Sequence, residues 1–157
     1  MSPERAGPGT DWAALLALIR DAFAAMDGRI DPPSSMHALT AGAIAEQAAA
    51  GEVWLIAEAG QPVACVFLTV RPGRLYLGKL AVAASHRGHG LARRLVDTAA
   101  ARARALGLPA LELQTRVELT ENHATFRALG FTEVGATAHP GYDRPTSLTF
   151  RRPVTAE

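Results

Sequence analysis

Residues 87–90 read Arg-Gly-His-Gly and stand just ahead of a long helical pattern. A turn of this composition brings several backbone N–H groups to the first turn of a helix, where they have no intrahelical acceptor. The helix dipole adds partial positive charge at the same spot, which therefore favours phosphate. The strand pattern that leads into the turn is irregular. Leu75 and Leu77 hold one alternation phase, whereas Leu80 and Val82 hold the opposite one. Side chains in a strand alternate faces with period two, so the slip predicts an extra residue or a twist. Gly78 stands at the slip, where a β-bulge would place it.

Other chemistry competes for this glycine turn. A dinucleotide fingerprint, Gly-x-Gly-x-x-Gly, is met at Gly88 and Gly90, but Arg93 holds the third place. Glu112 lies at a distance suggestive of a ribose-binding acid, yet the strands before the turn have the wrong arrangement for that fold. A P-loop would need Gly-Lys-Ser/Thr after four intervening residues, and it is absent. A purely structural turn leaves the slip, the basic residue and the donor-rich helix start as coincidences. Elsewhere, Cys65 is the sole cysteine and sits in the apolar run 63–70, which suits a buried bystander better than a reactive thiol. His86 and His89 are three apart with no third ligand nearby, so surface or phosphate-proximal roles are expected rather than a metal site.

The elements that must position the turn follow from pattern. Thr10 is expected to cap a helix whose stripe is Trp12, Leu15, Leu16, Ile19, Phe23 and Met26. Residues 27–35 hold Gly28, Pro32 and Pro33 and read as a loop. Ser34 or Ser35 then caps an Ala-rich helix that Gly51 ends. Strands are predicted at 52–58, 63–71 and 74–82, joined by short turns and therefore antiparallel. The next helix runs to about Leu106, with Leu91, Leu95, Val96, Ala99, Ala103 and Leu106 toward the sheet. Arg93, Arg94, Asp97, Arg102 and Arg104 form its solvated face. A strand at 110–117, reached by this helical crossover, is parallel to strand 74–82. Thr120 caps a short helix to Leu129, and 131–138 and 147–152 are final strands around a loop rich in proline.

Composition is that of an ordinary globular protein. Of the 157 residues, 48% are hydrophobic and 20% charged, with a formal net charge of +1. Residues 1–9 are expected to be loose or a short edge strand, and 10–157 a single domain. The charge balance gives no support for a nucleic-acid or membrane partner. No apolar stretch approaches the ~20 residues of a membrane span, and no secretory apolar core opens the chain, which predicts a cytoplasmic protein.

Arg87-Gly88-His89-Gly90-Leu91-Ala92 resembles the Gln/Arg-x-x-Gly-x-Gly/Ala signature of the GNAT superfamily of N-acetyltransferases. It follows Leu80-Ala81-Val82, similar to the strand end of that family. Phe126-Arg127-Ala128-Leu129-Gly130-Phe131 resembles the family's Tyr-x-x-x-Gly-Phe ending, and the element order agrees over about 10–152. The resemblance implies an α/β (α+β) fold: a mixed, mostly antiparallel sheet with a splayed central parallel pair, flanked by about four helices. It implies acetyl-CoA as cosubstrate, bound where the two parallel strands part. By carry-over, the backbone of Leu80 and Val82, with Ala81 between them, would take the pantetheine arm like an added strand. The amides of Arg87, Gly88, His89, Gly90, Leu91 and Ala92 would hold the pyrophosphate. A backbone N–H near the bulge would polarise the thioester carbonyl.

The implied reaction is direct attack by a primary amine of a small molecule or peptide. An alkyl ammonium with a pKa near ~10.4 must first lose a proton. Glu118, at the end of its strand, is the first candidate base, and Glu112 a weaker one. Phe126 stands where the family has a tyrosine that protonates the thiolate, so that acid is missing or supplied by another group; Tyr142 can substitute if the last loop folds over the cleft. Leu119 stands where the family has an asparagine, with Asn122 on the same helical face as Phe126. His139 enters the last loop with Tyr142, Asp143 and Arg144. Asp27, Asp31, Asp143 and Glu118 are expected to make the acceptor side acidic. A rival from another class is an acyl-CoA-binding module with little or no transferase activity, and a nicotinamide-binding protein is a distant third. Dimers are common among proteins the chain resembles, and a homodimer is left open.

Overall fold

The apolar run 63–68 is buried without alternation, because helices cover both faces of the strand that carries it. In the computed structural model, which describes residues 2–155, this strand is β3, Gln61–Arg71. Ala64, Val66 and Leu68 join one apolar cluster, and Cys65 and Phe67 join another on the opposite face. The first cluster packs under α3, Leu91–Ala105, through Leu91, Leu95, Val96, Ala99 and Ala103. The second packs under α1, Trp12–Ala24, and α2, Ala41–Ala50, through Leu15, Leu16, Leu18, Ile19 and Ile44. Cys65 is fully buried, and burial pushes its thiol up to about 12, so it is packing rather than chemistry.

Besides β3, the sheet contains β1 (Glu4–Arg5), β2 (Glu52–Glu58), β4 (Arg74–Val82), β5 (Ala110–Arg116), β6 (Thr132–Thr137) and β7 (Ser147–Pro153). Their spatial order is β1-β2-β3-β4-β5-β7-β6. All neighbours are antiparallel except β4 and β5, which α3 joins by a crossover. With four α-helices among the described residues, the last being α4 (Thr120–Ala128), this is the mixed sheet with a central parallel pair that the sequence predicts. Glu4–Arg5 pair with β2 as the edge strand β1, whereas Met1 and residues 156–157 lie outside the described part. Among the described residues no helix is long and apolar enough to cross a membrane.

Local chemistry departs from the sequence reading at several ends. Asp11, not Thr10, caps α1, its carboxylate accepting from the Ala14 amide at 3.0 Å; a carboxylate gains from the dipole as well as from the hydrogen bond. The second helix is broken in two. Ser34 caps a single 3₁₀ turn at Ser35–Ala38, Leu39 is extended, and Thr40 then caps α2. Leu39 turns into the α1–α2 cluster, and that burial outweighs continuing the helix. Thr120 is the first residue of α4 rather than its cap; Leu119 precedes it without a side-chain cap. Leu106 follows the last turn of α3 and is 41% exposed rather than facing the sheet.

Arg102 is also not on the solvated face. It makes a two-pronged pair with Glu52 at 2.8 and 2.7 Å, and Trp54 Nε1 donates to the same carboxylate at 2.9 Å. The Arg102 hydrogen bond holds the Glu52 carboxyl below its usual range despite partial burial. A depressed carboxyl contributes stability above its unfolded pKa and loses it as pH falls through the folded value. Arg102→Ala should therefore cost about 1–2 kcal/mol in urea unfolding at pH 7. The gap to wild type should shrink as pH drops below the ordinary glutamate range, and a gap independent of pH would refute the pairing.

Candidate active site

The strands β4 and β5 are paired at Leu75↔Leu111 and Tyr76↔Glu112 only. β4 continues to Val82 and β5 to Arg116, so beyond Tyr76 the two strands part. Glu112 sits at the base of this fork, 4% exposed, with Arg74 Nε at 2.9 Å and an Arg151 terminal nitrogen at 2.6 Å. Burial pushes its carboxyl up, but the two arginines outweigh that and leave it lowered. Its carboxylate is thus spent on holding β4, β5 and β7 together, which removes it as a catalytic base.

Opposite β3, the register passes from Phe67↔Gly78 to Cys65↔Ala81, so β4 carries one extra residue. This is the predicted bulge, one step later than the sequence placed its strained residue. Lys79, with φ of 49°, takes the left-handed conformation. Gly78 does not, and a Cβ there would only touch the Tyr76 ring at 3.6 Å. Lys79 is held by its carbonyl, which accepts from Cys65 Sγ, and by its ammonium, which donates to Gln47 Oε1 at 2.7 Å. The ammonium also lies 5.1 Å from the Phe67 ring centre, and partial burial lowers its pKa.

Past the fork, β4 runs into the glycine turn. Gly88 and Gly90 have φ of 79° and 76°, and a Cβ on either would meet nothing within 4 Å. The requirement for glycine is thus one of backbone conformation beside open space. Gly90 is the residue before α3, and no side chain caps the helix. Its first-turn amides are therefore available to an outside anion. His86 anchors the turn, one ring nitrogen 2.9 Å from Glu58 Oε2 and the other 2.7 Å from Ser85 Oγ.

The fork opens on a cleft of two lobes. The turn-side lobe, about 440 Å³, is lined by Leu80, Ala81, Val82, Arg87, Gly88, Gly90, Leu91 and Ala92, with Asn122 and Phe126 across from them. Of the residues expected to bind the cosubstrate, His89 alone does not line it. The sheet-side lobe, about 350 Å³, lies over Tyr76, Gln114, Thr115 and Arg116. Six residues line both lobes and form a waist: Phe23, Met26, Leu80, Leu119, Asn122 and Phe126.

The model of the acetyltransferase (GNAT) family matches residues 12–131. The chain belongs to the GNAT family. Its fold is also that of the ribosomal-protein-S18-alanine N-acetyltransferase from Escherichia coli, at 18% identity and a TM-score of 0.73, covering 99% of this chain and 95% of that one. An acetyltransferase of the GNAT family from Staphylococcus aureus MU50 is similar at 14% identity and a TM-score of 0.76, covering 98% and 99%. A candidate streptothricin acetyltransferase from Bacillus anthracis, solved in complex with acetyl coenzyme A, is similar at 16% identity and a TM-score of 0.61, covering 66% and 62%. No curated protein matches the chain. GNAT membership supports acetyl transfer in general terms, with acetyl-CoA as the cosubstrate.

Against the GNAT cleft, the residues expected to move protons fall in unexpected places. Neither Glu118 nor Tyr142 lines either lobe. The Tyr142 hydroxyl donates to Asp31 Oδ1 at 2.6 Å, and Arg144 lies 3.0 Å from Asp31 Oδ2. The hydrogen bond to Asp31 raises the Tyr142 pKa. Glu118 Oε2 accepts from the Asp31 amide at 3.2 Å. Together with Arg29–Glu121 at 2.7 Å and Arg116 on the Pro32 carbonyl at 2.6 Å, these bonds strap loop 27–36 to β5, α4 and the last loop. The expected acidic acceptor side is not found: Asp27, Asp31, Glu118 and Asp143 all lie off the lining. Asn122 reaches Thr115 Oγ1 at 3.5 Å, and Phe126 packs on Phe131 and Phe150 at ring distances of 6.1 and 6.2 Å. His139 lines the sheet-side lobe, its Nδ1 bonded to Thr146 Oγ1.

Sequence reasoning missed Tyr76, Lys79 and Arg116 as lining residues. For Tyr76 and Arg116 a signal existed. With Leu75, Leu111 and Leu113 on one face, the period of two sends Tyr76, Gln114 and Arg116 to the other. Glu112→Gln should cost about 2–3 kcal/mol, since it leaves two arginines facing a neutral amide inside the fork. Chemical denaturation at neutral pH checks this, and a change under ~0.5 kcal/mol would remove Glu112 as the pin of the fork.

Proposed function

We infer that the chain transfers the acetyl group of acetyl-CoA to a primary amine by direct attack. One observation carries the reading. An opened parallel pair with a bulge on one arm leads straight into a helix start that has no side-chain cap. The edge of β4 that β5 leaves beyond Tyr76 suits a pantetheine arm added like a strand at Leu80 and Val82. The amides from Arg87 to Ala92 suit a pyrophosphate, with Arg87 adding charge at the lobe wall.

When bound, acetyl-CoA supplies an activated acyl group on sulfur. The amine nitrogen bonds to the acetyl carbon, the carbon–sulfur bond breaks, and the nitrogen gives up one proton as CoA leaves. The waist is apolar apart from Asn122, and desolvation there disfavours an ammonium and favours the neutral nucleophile. His139, which lines the sheet-side lobe, is the side chain placed to take that proton. Phe126 offers no proton to sulfur, but a thiolate, with a thiol pKa of ~8.5, leaves without an acid. The same Phe126 supports the second reading, an acyl-CoA-binding module without turnover.

Thermal unfolding with acetyl-CoA, CoA and NAD tests the site. At acetyl-CoA a hundredfold above Kd, ~2.7 kcal/mol of stabilisation should raise Tm by several degrees, and NAD should do nothing. Gly90→Asp and Gly107→Asp strain the backbone alike, since both glycines have positive φ, but only the first should abolish the shift. Equal responses of the two variants would take the phosphates away from the turn. Release of CoA thiol with an amine panel then separates enzyme from binder, and His139→Gln should lower kcat by about tenfold or more. An unchanged kcat would exclude His139 as the base.

A further inference from the structure

The sheet-side lobe carries a charge pattern opposite to the one the sequence suggested. None of the residues lining it is Asp or Glu, while Lys79 and Arg116 both line it. Of the carboxylates on the surrounding elements, Glu112 is paired with Arg74 and Arg151 and Asp31 with Tyr142 and Arg144. Glu118, which does not line the lobe, accepts from the Asp31 amide through Oε2 and has its Oε1 buried without a hydrogen-bond partner among the described residues. The Lys79 ammonium is turned to Gln47. Arg116 differs. It donates to the Pro32 and Pro33 carbonyls at 2.6 and 3.4 Å and forms no ion pair with a carboxylate among the described residues.

Carbonyl partners fix the guanidinium without neutralising it, and they leave about three of its five N–H donors for a ligand. A planar, half-buried guanidinium of this kind matches a carboxylate by geometry as well as charge. A polycationic acceptor would meet like charge in this lobe and no counter-ion. The lobe's volume of about 350 Å³ is that of a small-molecule site.

We propose that the acceptor is a small amine carrying a carboxylate, as an amino acid does, with the carboxylate received by Arg116 and the nitrogen directed to the waist. The assignment rests on the transferase reading of the cleft. It also accounts for the strapped loop, because Arg116 is oriented by the Pro32 and Pro33 carbonyls, directly before the residues Ser34, Ser35 and Met36 that line the lobe.

The test measures initial rates of CoA thiol release with amino acids and their carboxamides as matched pairs, using wild type, Arg116→Gln and Arg116→Lys. Wild type should favour the acid over the amide by about tenfold or more in kcat/KM, chiefly through KM. Arg116→Gln should bring the acid-to-amide ratio close to one, and Arg116→Lys should restore part of it. The ratio is internal to each protein, so a loss of folded fraction does not imitate the effect. Should Arg116→Gln not fold, added salt should shrink the wild-type preference. Amides used as well as acids by wild type would overturn the proposal and leave the transferase reading standing. Failure of every amine, with or without a carboxylate, would also overturn it. The acetyl-CoA shift in Tm then decides whether the cosubstrate site falls too.

Discussion

Two strands that stop pairing part-way along leave backbone donors and acceptors without partners, and such groups are not left empty at a protein's centre. That constraint organises this molecule. β4 and β5 are joined at two residue pairs and then diverge, and the cleft exists because they do. The divergence is maintained from both ends. At the base, the buried Glu112 draws Arg74 and Arg151 together across three strands. Along β4, the extra residue at Lys79 bends the arm away. A bulge holding a non-glycine residue at positive φ stores about 1 kcal/mol or more, and three contacts of Lys79 with Cys65, Gln47 and Phe67 hold it there.

The same constraint explains why the glycine turn is useful only in this place. An uncapped helix start attracts an anion anywhere, but here it is continuous with the edge of β4 that β5 leaves beyond Tyr76. A ligand with an extended amide-bearing arm and a phosphate end meets both features in one direction. Gly88 and Gly90 allow it by conformation, while their missing Cβ atoms leave the lobe wall open. The apolar clusters on either face of β3 then fix where α1 and α3 stand, and the end of α1 and the turn after it deliver Phe23 and Met26 to the waist.

What was legible in the sequence is what local chemistry writes. The turn at 87–90, the meander through 52–82 and the parallel return at 110 each follow from glycine placement, alternation or the handed crossover. What was not legible depends on partners far apart in the chain. Asp31 and Tyr142 are 111 residues apart, and Arg102 and Glu52 are 50 apart. Each residue alone reads as a solvated charge or a loop residue. The sheet-side lobe was the least legible part, because residues 34–36, 76–80, 113–116, 139 and 147 converge on it. None of the four acids counted in the neighbouring loops lines this lobe, and two of them, Asp31 and Glu118, are engaged in holding the loop. Glu118 shows the same dependence on distant partners: it stands near the fork at a strand end, while its Oε2 accepts from the Asp31 amide, 87 residues away in the chain.

The waist shows how the proposed chemistry could run without the tyrosine that Phe126 replaces. Phe126 is wedged between the cleft and the rings of Phe131 and Phe150, so it closes the apolar core where a hydroxyl would need a partner of its own. Phe23, Met26, Leu80 and Leu119 make the rest of that ring apolar. An amine entering it sheds water, which weakens its hold on the extra proton and so raises its nucleophilicity. An acyl thioester needs little help to expel sulfur. The demand on the protein therefore falls on presenting a neutral nitrogen in a fixed orientation rather than on protonating the leaving group. A charged anchor at Arg116, outside the apolar ring, with a dry passage within it, divides those two tasks between the sheet-side lobe and the waist.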